Sequence, residues 1–329
     1  MDNMQKIPVF FTFDANYLLA AKVAIHSMMK HASPQYWYEL YVFHTTLSTK
    51  AQQSLRNSLK EFTHAELHFI NVTQYDEKIK NFGTKAHYSK EIFYKLIATD
   101  VLPQYDRIIC SDVDVIFTGD ISPVFFMYPN EKFYYAGVGP LDNTTRMPHY
   151  RKDFKKEELD ILEHEIAAGF LLINLKEIRQ DHKQEELINY YTQNYYRLRS
   201  PEQDCITLVC WPHIKHLPLG YCFLNTFYRL DIEKINFYLG NTEFEGNEAT
   251  AKTKFQESLA HPIQLHYVGF NKPWNSVSTM KQKDWIQALK ETPDAMPLFI
   301  RTLPYNLIRR LRRYNLKRFL KKTFKKSTV

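Results

Sequence analysis

Glycine is scarce in this sequence, at 9 of 329 residues. Neither GxGxxG nor GxxxxGK[ST] occurs, which excludes the dinucleotide fingerprint and the P-loop as ways of holding phosphate. The four cysteines, Cys110, Cys205, Cys210 and Cys222, form no CxxC, so a zinc ribbon or disulfide framework is not expected, and reduced thiols in a cytosolic protein are. Long hydrophobic runs are missing too. The longest apolar stretch, IAAGFLLINL at 166 to 175, is about half the roughly 20 residues a membrane-spanning helix needs. MDNMQK passes straight into the strand-like IPVFFTF without a signal-peptide pattern. HEIAAG at 164 to 169 lacks the second His of H-E-x-x-H, which excludes that zinc-protease centre. Acidic residues are absent from 301 to 329, where eleven Lys or Arg are found. Subtracting those eleven charges from the net +7 leaves the first 300 residues at −4, so the basic character belongs to the tail.

What is present fits a soluble protein with a sizeable core: 44% hydrophobic residues, 24% charged, with 22 Tyr and 23 Phe. IPVFFTF (7 to 13), YELYVFHT (38 to 45) and AELHFINV (65 to 72) read as strands. Residues 17 to 31 and 47 to 62 read as helices, the second opened by Ser48 as a cap. Alternation of strand and helix predicts a mostly parallel sheet covered on both faces. A helix is predicted at 90 to 102, closed by Pro103, then a strand at 107 to 111 whose unbroken apolar run marks a central position. FYYAGVG (133 to 139) and GFLLINL (169 to 175) are later strands, followed by a polar-faced helix over 176 to 196.

The stretch SDVDVIFTGDI (111 to 121) puts Asp112 and Asp114 at the carboxyl end of that central strand, where open α/β sheets place their ligands. Alternate residues of an extended segment share a face, so an Asp-x-Asp can turn both carboxylates toward one divalent cation. A surface turn with solvated aspartates is the plainer reading of the pair alone. Asp120 reads as a cap or turn residue. His26, His31, His44, His64 and His68 are scattered and read as packing or surface residues. GYCFLN (220 to 225) fits either an acceptor pocket or core packing.

Five segments in order, over roughly residues 7 to 275, resemble the family 8 glycosyltransferases of the GT-A fold, the group containing bacterial lipooligosaccharide galactosyl- and glucosyltransferases. They are FTFDANY (11 to 17), FYKL (93 to 96) ahead of Leu102 and Pro103, SDVDVIFTGDI, AAGFLLINL (167 to 175) and HYVGFNKPW (266 to 274). The last keeps every position of the family's H-x-x-G-x-x-K-P-W. The resemblance implies an α/β GT-A fold, with a mostly parallel, Rossmann-like sheet flanked by helices, over residues 1 to 300. It implies donor contacts from Phe13, Asp14, Asn16, Tyr17, Lys95, Asp112, Val113, Ala167, Ala168, Glu202, Gly269 and Lys272, and a metal held by Asp112, Asp114 and His266. Two carboxylates with one imidazole suit Mn²⁺, with Mg²⁺ the alternative. PEQDCITLV (201 to 209) resembles the family's D-Q-D-x-L, which makes Gln203 and Asp204 the expected catalytic residues; a capping role at a helix start is the plainer reading.

The implied activity is retaining transfer of galactose or glucose from a UDP-sugar to a glycolipid or surface-polysaccharide acceptor. Because Gln203 is a poor nucleophile, front-face displacement is implied, with the leaving phosphate taking the acceptor's proton. Three positions depart from the family pattern: Lys95 for Arg, Ala167 for Asn and Glu202 for Asp. They keep open a non-catalytic sugar-nucleotide or membrane-binding protein of the same fold. The tail, 301 to 329, resembles a membrane-surface segment, with an apolar face at Leu303, Leu307, Ile308, Leu311 and Tyr314 and a second, oppositely directed face from Leu316 onward. A break near Tyr314 and Asn315, peripheral attachment to the inner face of the cell membrane and no nucleic-acid partner are the expectations.

Overall fold

The computed structural model describes residues 4–79, 89–276, 278–305 and 307–308. Ten strands are found there: β1 (Lys6–Thr12), β2 (Trp37–His44), β3 (Ala65–Asn71), β4 (Arg107–Ser111), β5 (Val115–Phe117), β6 (Tyr135–Val138), β7 (Ala167–Asn174), β8 (Ile214–Leu217), β9 (Phe223–Leu224) and β10 (Gln264–His266). The α-helices are α1 (Leu18–His31), α2 (Thr49–Asn57), α3 (Ala98–Val101), α4 (Ser122–Phe125), α5 (Lys156–Leu162), α6 (Leu175–Gln180), α7 (Lys183–Asn194), α8 (Pro201–Cys210), α9 (Glu248–Ala260) and α10 (Gln282–Glu291).

Seven strands form the main sheet in the order β3-β2-β1-β4-β7-β6-β8. Pairing is parallel from β3 through β4 and again between β6 and β8. β7 runs antiparallel to both neighbours, so the sheet is mostly parallel, as the alternation of strand and helix predicts. The unbroken apolar strands divide by parity: Val9, Phe11, Leu40, Val42, Ile109, Phe170 and Leu172 face a core with α1, while Phe10, Phe43, Ile108, Cys110, Leu171 and Ile173 face one with α7 and α8. Each apolar side chain so buried stabilises by about 1.5–3 kcal/mol, which is why a central strand tolerates no polar face.

Two predicted helices are broken. Residues 90–96 form a 3-10 helix and α3 follows only after Ile97. Phe93, Tyr94, Lys95, Leu96 and Ile97 are all buried in succession, and an amphipathic α-helix cannot bury every face. The helix predicted at 176–196 divides at His182, whose φ of 53° is left-handed. Ser48 caps α2 as expected, accepting from the Ala51 N–H. Asp120 is a turn residue, accepting from the Ser122 N–H at 2.9 Å and from its hydroxyl at 2.6 Å.

A second, three-stranded sheet, β5-β10-β9, was not visible in the sequence pattern. It pairs His266 with Val115, so the histidine arrives beside Asp114. Just before β9, the 3-10 turn Leu219–Cys222 is tied by its Leu219 N–H to Glu243 Oε2 at 2.7 Å. Burial raises the Glu243 pKa from 4.5 to about 7. The folded state therefore holds a proton that the unfolded chain has released, and this contribution to stability is lost as pH rises from about 4.5 to about 7. Glu243→Gln should raise the melting temperature relative to native at pH 8 and lose that advantage at pH 4. Equal differences at the two pH values, by thermal denaturation, would refute this.

Candidate active site

The acidic pair occupies the turn between β4 and β5, and backbone bonds fix both ends of it. The Asp112 N–H donates to Gly169 O at 3.0 Å, and Asp114 O accepts from the Tyr267 N–H at 2.9 Å. One contact ties the turn to the main sheet and the other to the small one. Asp112, Asp114 and His266 then offer three ligand atoms within 4.8 Å of one another. His266 Nε2 lies 3.1 Å from Asp114 Oδ1 and 3.8 Å from Asp112 Oδ2. This approach requires glycine at 169, because a Cβ there would sit 2.6 Å from His266 Nδ1 and 3.1 Å from Cys222 Sγ.

Two lysines neutralise the carboxylates. Lys272 Nζ is 2.5 Å from Asp114 Oδ2 and also donates to Tyr267 O. Lys95 is 1% exposed, and its Nζ meets Asp112 Oδ1 at 2.6 Å, Ala168 O at 2.9 Å and Glu202 Oε1 at 3.5 Å. An ammonium has three N–H donors, and these three acceptors match them. Burial alone would lower the Lys95 pKa, but Asp112 and Glu202 raise it well above the usual lysine value. Burial also opposes ionisation of Asp114, yet Lys272 and His266 hold it far below the carboxylate range. His266 is disfavoured as a cation by burial and favoured more strongly by Asp114, which raises its pKa to about 10. Glu202 is raised by burial, and its Oε2 is buried without a hydrogen-bond partner.

The remaining predicted site residues divide in two. Gln203 Oε1 accepts from the Ala168 N–H at 3.0 Å, so Ala168 joins Gln203 on one side to Lys95 on the other. Asp14 accepts from the Asn16 N–H and side-chain amide, both at 2.8 Å, and shapes the turn Ala15–Tyr17. Tyr17 meets Trp274 edge to face at 5.8 Å, which joins this turn to the segment carrying Lys272. Gly269 has a φ of +80° with open space beyond it, so backbone conformation rather than crowding favours glycine there. Ala167 is half-buried at the start of β7. Phe13 and Val113 have buried side chains and can offer a ligand only their backbone.

Asp204, the other residue expected to be catalytic, is fully buried and engaged within the protein. Its Oδ1 accepts from the Tyr150 hydroxyl at 2.7 Å, and Oδ2 accepts from the Arg199 N–H at 2.6 Å and the Ser200 N–H at 3.1 Å. Burial and the charge of Glu165 raise its pKa well above the carboxylate range. Glu165 in turn pairs with Arg146 at 2.6 Å. The bonds of Asp204 to the Arg199 and Ser200 N–H groups pin the start of α8, and with it Gln203, which is the arrangement that the capping alternative describes. Sequence reasoning missed Glu165, Tyr150 and Arg146, which share no motif with Asp204. It also missed Cys222, whose Sγ is 3.5 Å from His266 Nδ1. GYCFLN otherwise packs in the core, with Tyr221 stacked on Phe170. The scattered histidines include a buried His26 and His44, as packing residues should be. All four cysteines are free and buried, and no helix among the described residues is long and apolar enough to cross a membrane.

Comparison with known proteins agrees with this geometry. The glycosyl transferase family 8 profile matches residues 8–278. A search of curated proteins gave no match. Among solved structures, the bifunctional glycosyltransferase WbbM aligns over 90% of this chain with a TM-score of 0.68 and 20% identity, and the match covers 52% of WbbM. This chain therefore spans about half the length of that relative. The galactosyltransferase LgtC, solved with donor and acceptor sugar analogues, has a TM-score of 0.68 and 16% identity, covering 87% of this chain and 96% of LgtC. GlyE of Streptococcus pneumoniae TIGR4 has a TM-score of 0.56 and 19% identity, covering 92% of this chain and 64% of GlyE. The chain belongs to glycosyl transferase family 8, and is a glycosyltransferase with the GT-A fold.

Proposed function

We propose that the protein is a metal-dependent, retaining hexosyltransferase that moves galactose or glucose from a UDP-sugar to a glycolipid or surface-polysaccharide acceptor. The observation that carries this reading is the convergence of Asp112, Asp114 and His266 within 4.8 Å, beside Lys95, Lys272 and Glu202. Two hard oxygens and one imidazole fit Mn²⁺, or Mg²⁺ as the alternative. A divalent ion held there supplies positive charge to the diphosphate as the glycosidic bond breaks.

The chain's own groups supply the rest. Lys272 places a second positive charge at the cluster, preorganised for a departing anion. Lys95 adds charge from behind Asp112, while its N–H groups stay engaged with protein acceptors. Gln203, fixed by Ala168, keeps a second carbonyl lone pair. That lone pair steadies oxocarbenium character at the anomeric carbon, and the leaving phosphate accepts the acceptor's proton. The turn Asp14–Tyr17 receives the nucleoside. Glu202 Oε2, buried and unpartnered, accepts from a donor hydroxyl and reads the sugar.

The membrane reading rests on charge. Residues 301 to 329 hold eleven basic residues and no acid, and about 1 kcal/mol per basic residue near an anionic leaflet suffices for reversible attachment. Residues 295 to 305 are helical. Leu303 and Leu307 are half-buried, while Ile300, Tyr305 and Ile308 are exposed. Residues 309 to 329, including the expected break at Tyr314 and Asn315, lie outside the described residues. The proposed place of action is the cytoplasmic face of the membrane.

UDP release from a panel of UDP-sugars, with Mn²⁺ or with EDTA, tests the reading. Native protein should turn over one donor only with metal, while Asp112→Asn and Asp114→Asn should lose about a hundredfold or more with unchanged circular dichroism. Turnover of either variant at the native rate would remove the metal site. Glu202→Asp should shift the ratio of kcat/KM between UDP-galactose and UDP-glucose by about tenfold; an unchanged ratio would remove Glu202 from donor selection. A chain ending at residue 300 should keep donor hydrolysis and lose sedimentation with phosphatidylglycerol vesicles. Undiminished sedimentation would refute the role of the tail.

A further inference from the structure

We infer that Cys222 is a positioning residue for His266: its sulfur accepts the Nδ1 proton and so fixes the ring tautomer that leaves Nε2 open to a divalent cation. The inference rests on the metal-site reading of Asp112, Asp114 and His266.

The two ring nitrogens face different partners. Nε2 faces the carboxylates, 3.1 Å from Asp114 Oδ1 and 3.8 Å from Asp112 Oδ2, and donates to Asp114 until a cation takes the place of its proton. Nδ1 points the other way, 3.5 Å from Cys222 Sγ, within reach of a hydrogen bond to sulfur. A neutral imidazole carries one proton. If the thiol donated to Nδ1, that proton would sit on Nε2 and block coordination; with sulfur as acceptor, the lone pair is on the metal side. The ring cannot turn freely between these roles, because Gly169 is packed so closely that even a methyl there would overlap Nδ1 and Cε1.

The choice of a thiol also has an electrostatic reason. Histidine ligands commonly give their second N–H to a carboxylate or a carbonyl. Here Asp112, Asp114 and Glu202 already share one cleft wall, and a further carboxylate would add like charge in a buried place. A neutral sulfur, 2% exposed in the turn before β9, orients the ring without that repulsion.

The test is Mn²⁺ affinity by electron paramagnetic resonance of the free ion, on full-length native protein, Cys222→Val and Cys222→Ser, with melting temperatures alongside. The expected result is a 10- to 100-fold weaker Kd for Val, within the range for losing such an outer partner, and recovery of most of the affinity by Ser. Val binding Mn²⁺ within twofold of native overturns the inference. If Val fails to fold, Cys222→Ala takes its place under the same criterion. As an independent readout, ¹⁵N-histidine spectra of the Mg²⁺-saturated native protein should show His266 with its proton on Nδ1, identified by loss of the signal in His266→Gln. A proton on Nε2 there refutes the inference outright. Native protein that binds no Mn²⁺ at all refutes the metal-site reading itself, and the inference with it, which is a different result from equal binding by native and Val.

Discussion

Three carboxylates, Asp112, Asp114 and Glu202, are held in one partly buried wall, and the cations beside them make that arrangement stable. Isolated buried carboxylates cost several kcal/mol each unless paired. Lys95 serves Asp112 and Glu202 together, and Lys272 serves Asp114. With His266 protonated, the group is formally neutral. Its components come from the β4–β5 turn, β10, the 3-10 segment before α3, α8 and the loop after β10. The fold's central task is therefore to bring elements far apart in sequence to one end of the sheet.

Two sheets accomplish this because the chain leaves the first only briefly. β4 ends at Ser111, and β5 begins at Val115 in a different sheet. Of the three residues between them, Val113 is buried in the core, while Asp112 and Asp114 bring their carboxylates together with His266. Gly169, next to Gln203's anchor at Ala168, supports the same turn by accepting the Asp112 N–H. Removing its Cβ allows His266 to close from the other side. A single close approach thus sets the spacing of all three candidate ligands.

The sequence made the central strands readable because an unbroken apolar run has few structural uses, and their parity division confirms it in detail. The mostly parallel pairing was readable too, but the reversed direction of β7 was not. GFLLINL looks the same whether its neighbours run with it or against it, and its antiparallel setting follows from the connection through β6. The 3-10 segment at 90–96 escaped because burial on every side erases the helical period. In the site, the convergence of Asp112, Asp114 and His266 was legible through local motifs. The setting of Asp204 was not legible: its motif gives its place in the chain, whereas its partners are Tyr150, 54 residues away, and Glu165. Within GYCFLN, Cys222 carried no signal of its contact with His266, 44 residues distant.

Two of the departures from the family pattern prove to be neighbours. Lys95 stands where an arginine is usual and Glu202 where an aspartate is usual, and their charged atoms are 3.5 Å apart. A guanidinium presents a flat fork, suited to two parallel acceptors. The ammonium of Lys95 instead meets three acceptors from three directions: Asp112, the Ala168 carbonyl and Glu202. Glutamate, one methylene longer than aspartate, extends toward a shorter cation. The two substitutions are one physical change, in which reach is exchanged across a pair while the charge at Asp112 is kept. What the exchange leaves over is Glu202 Oε2, buried and without a hydrogen-bond partner. The two departures therefore preserve the charged framework around Asp112 rather than dismantle it.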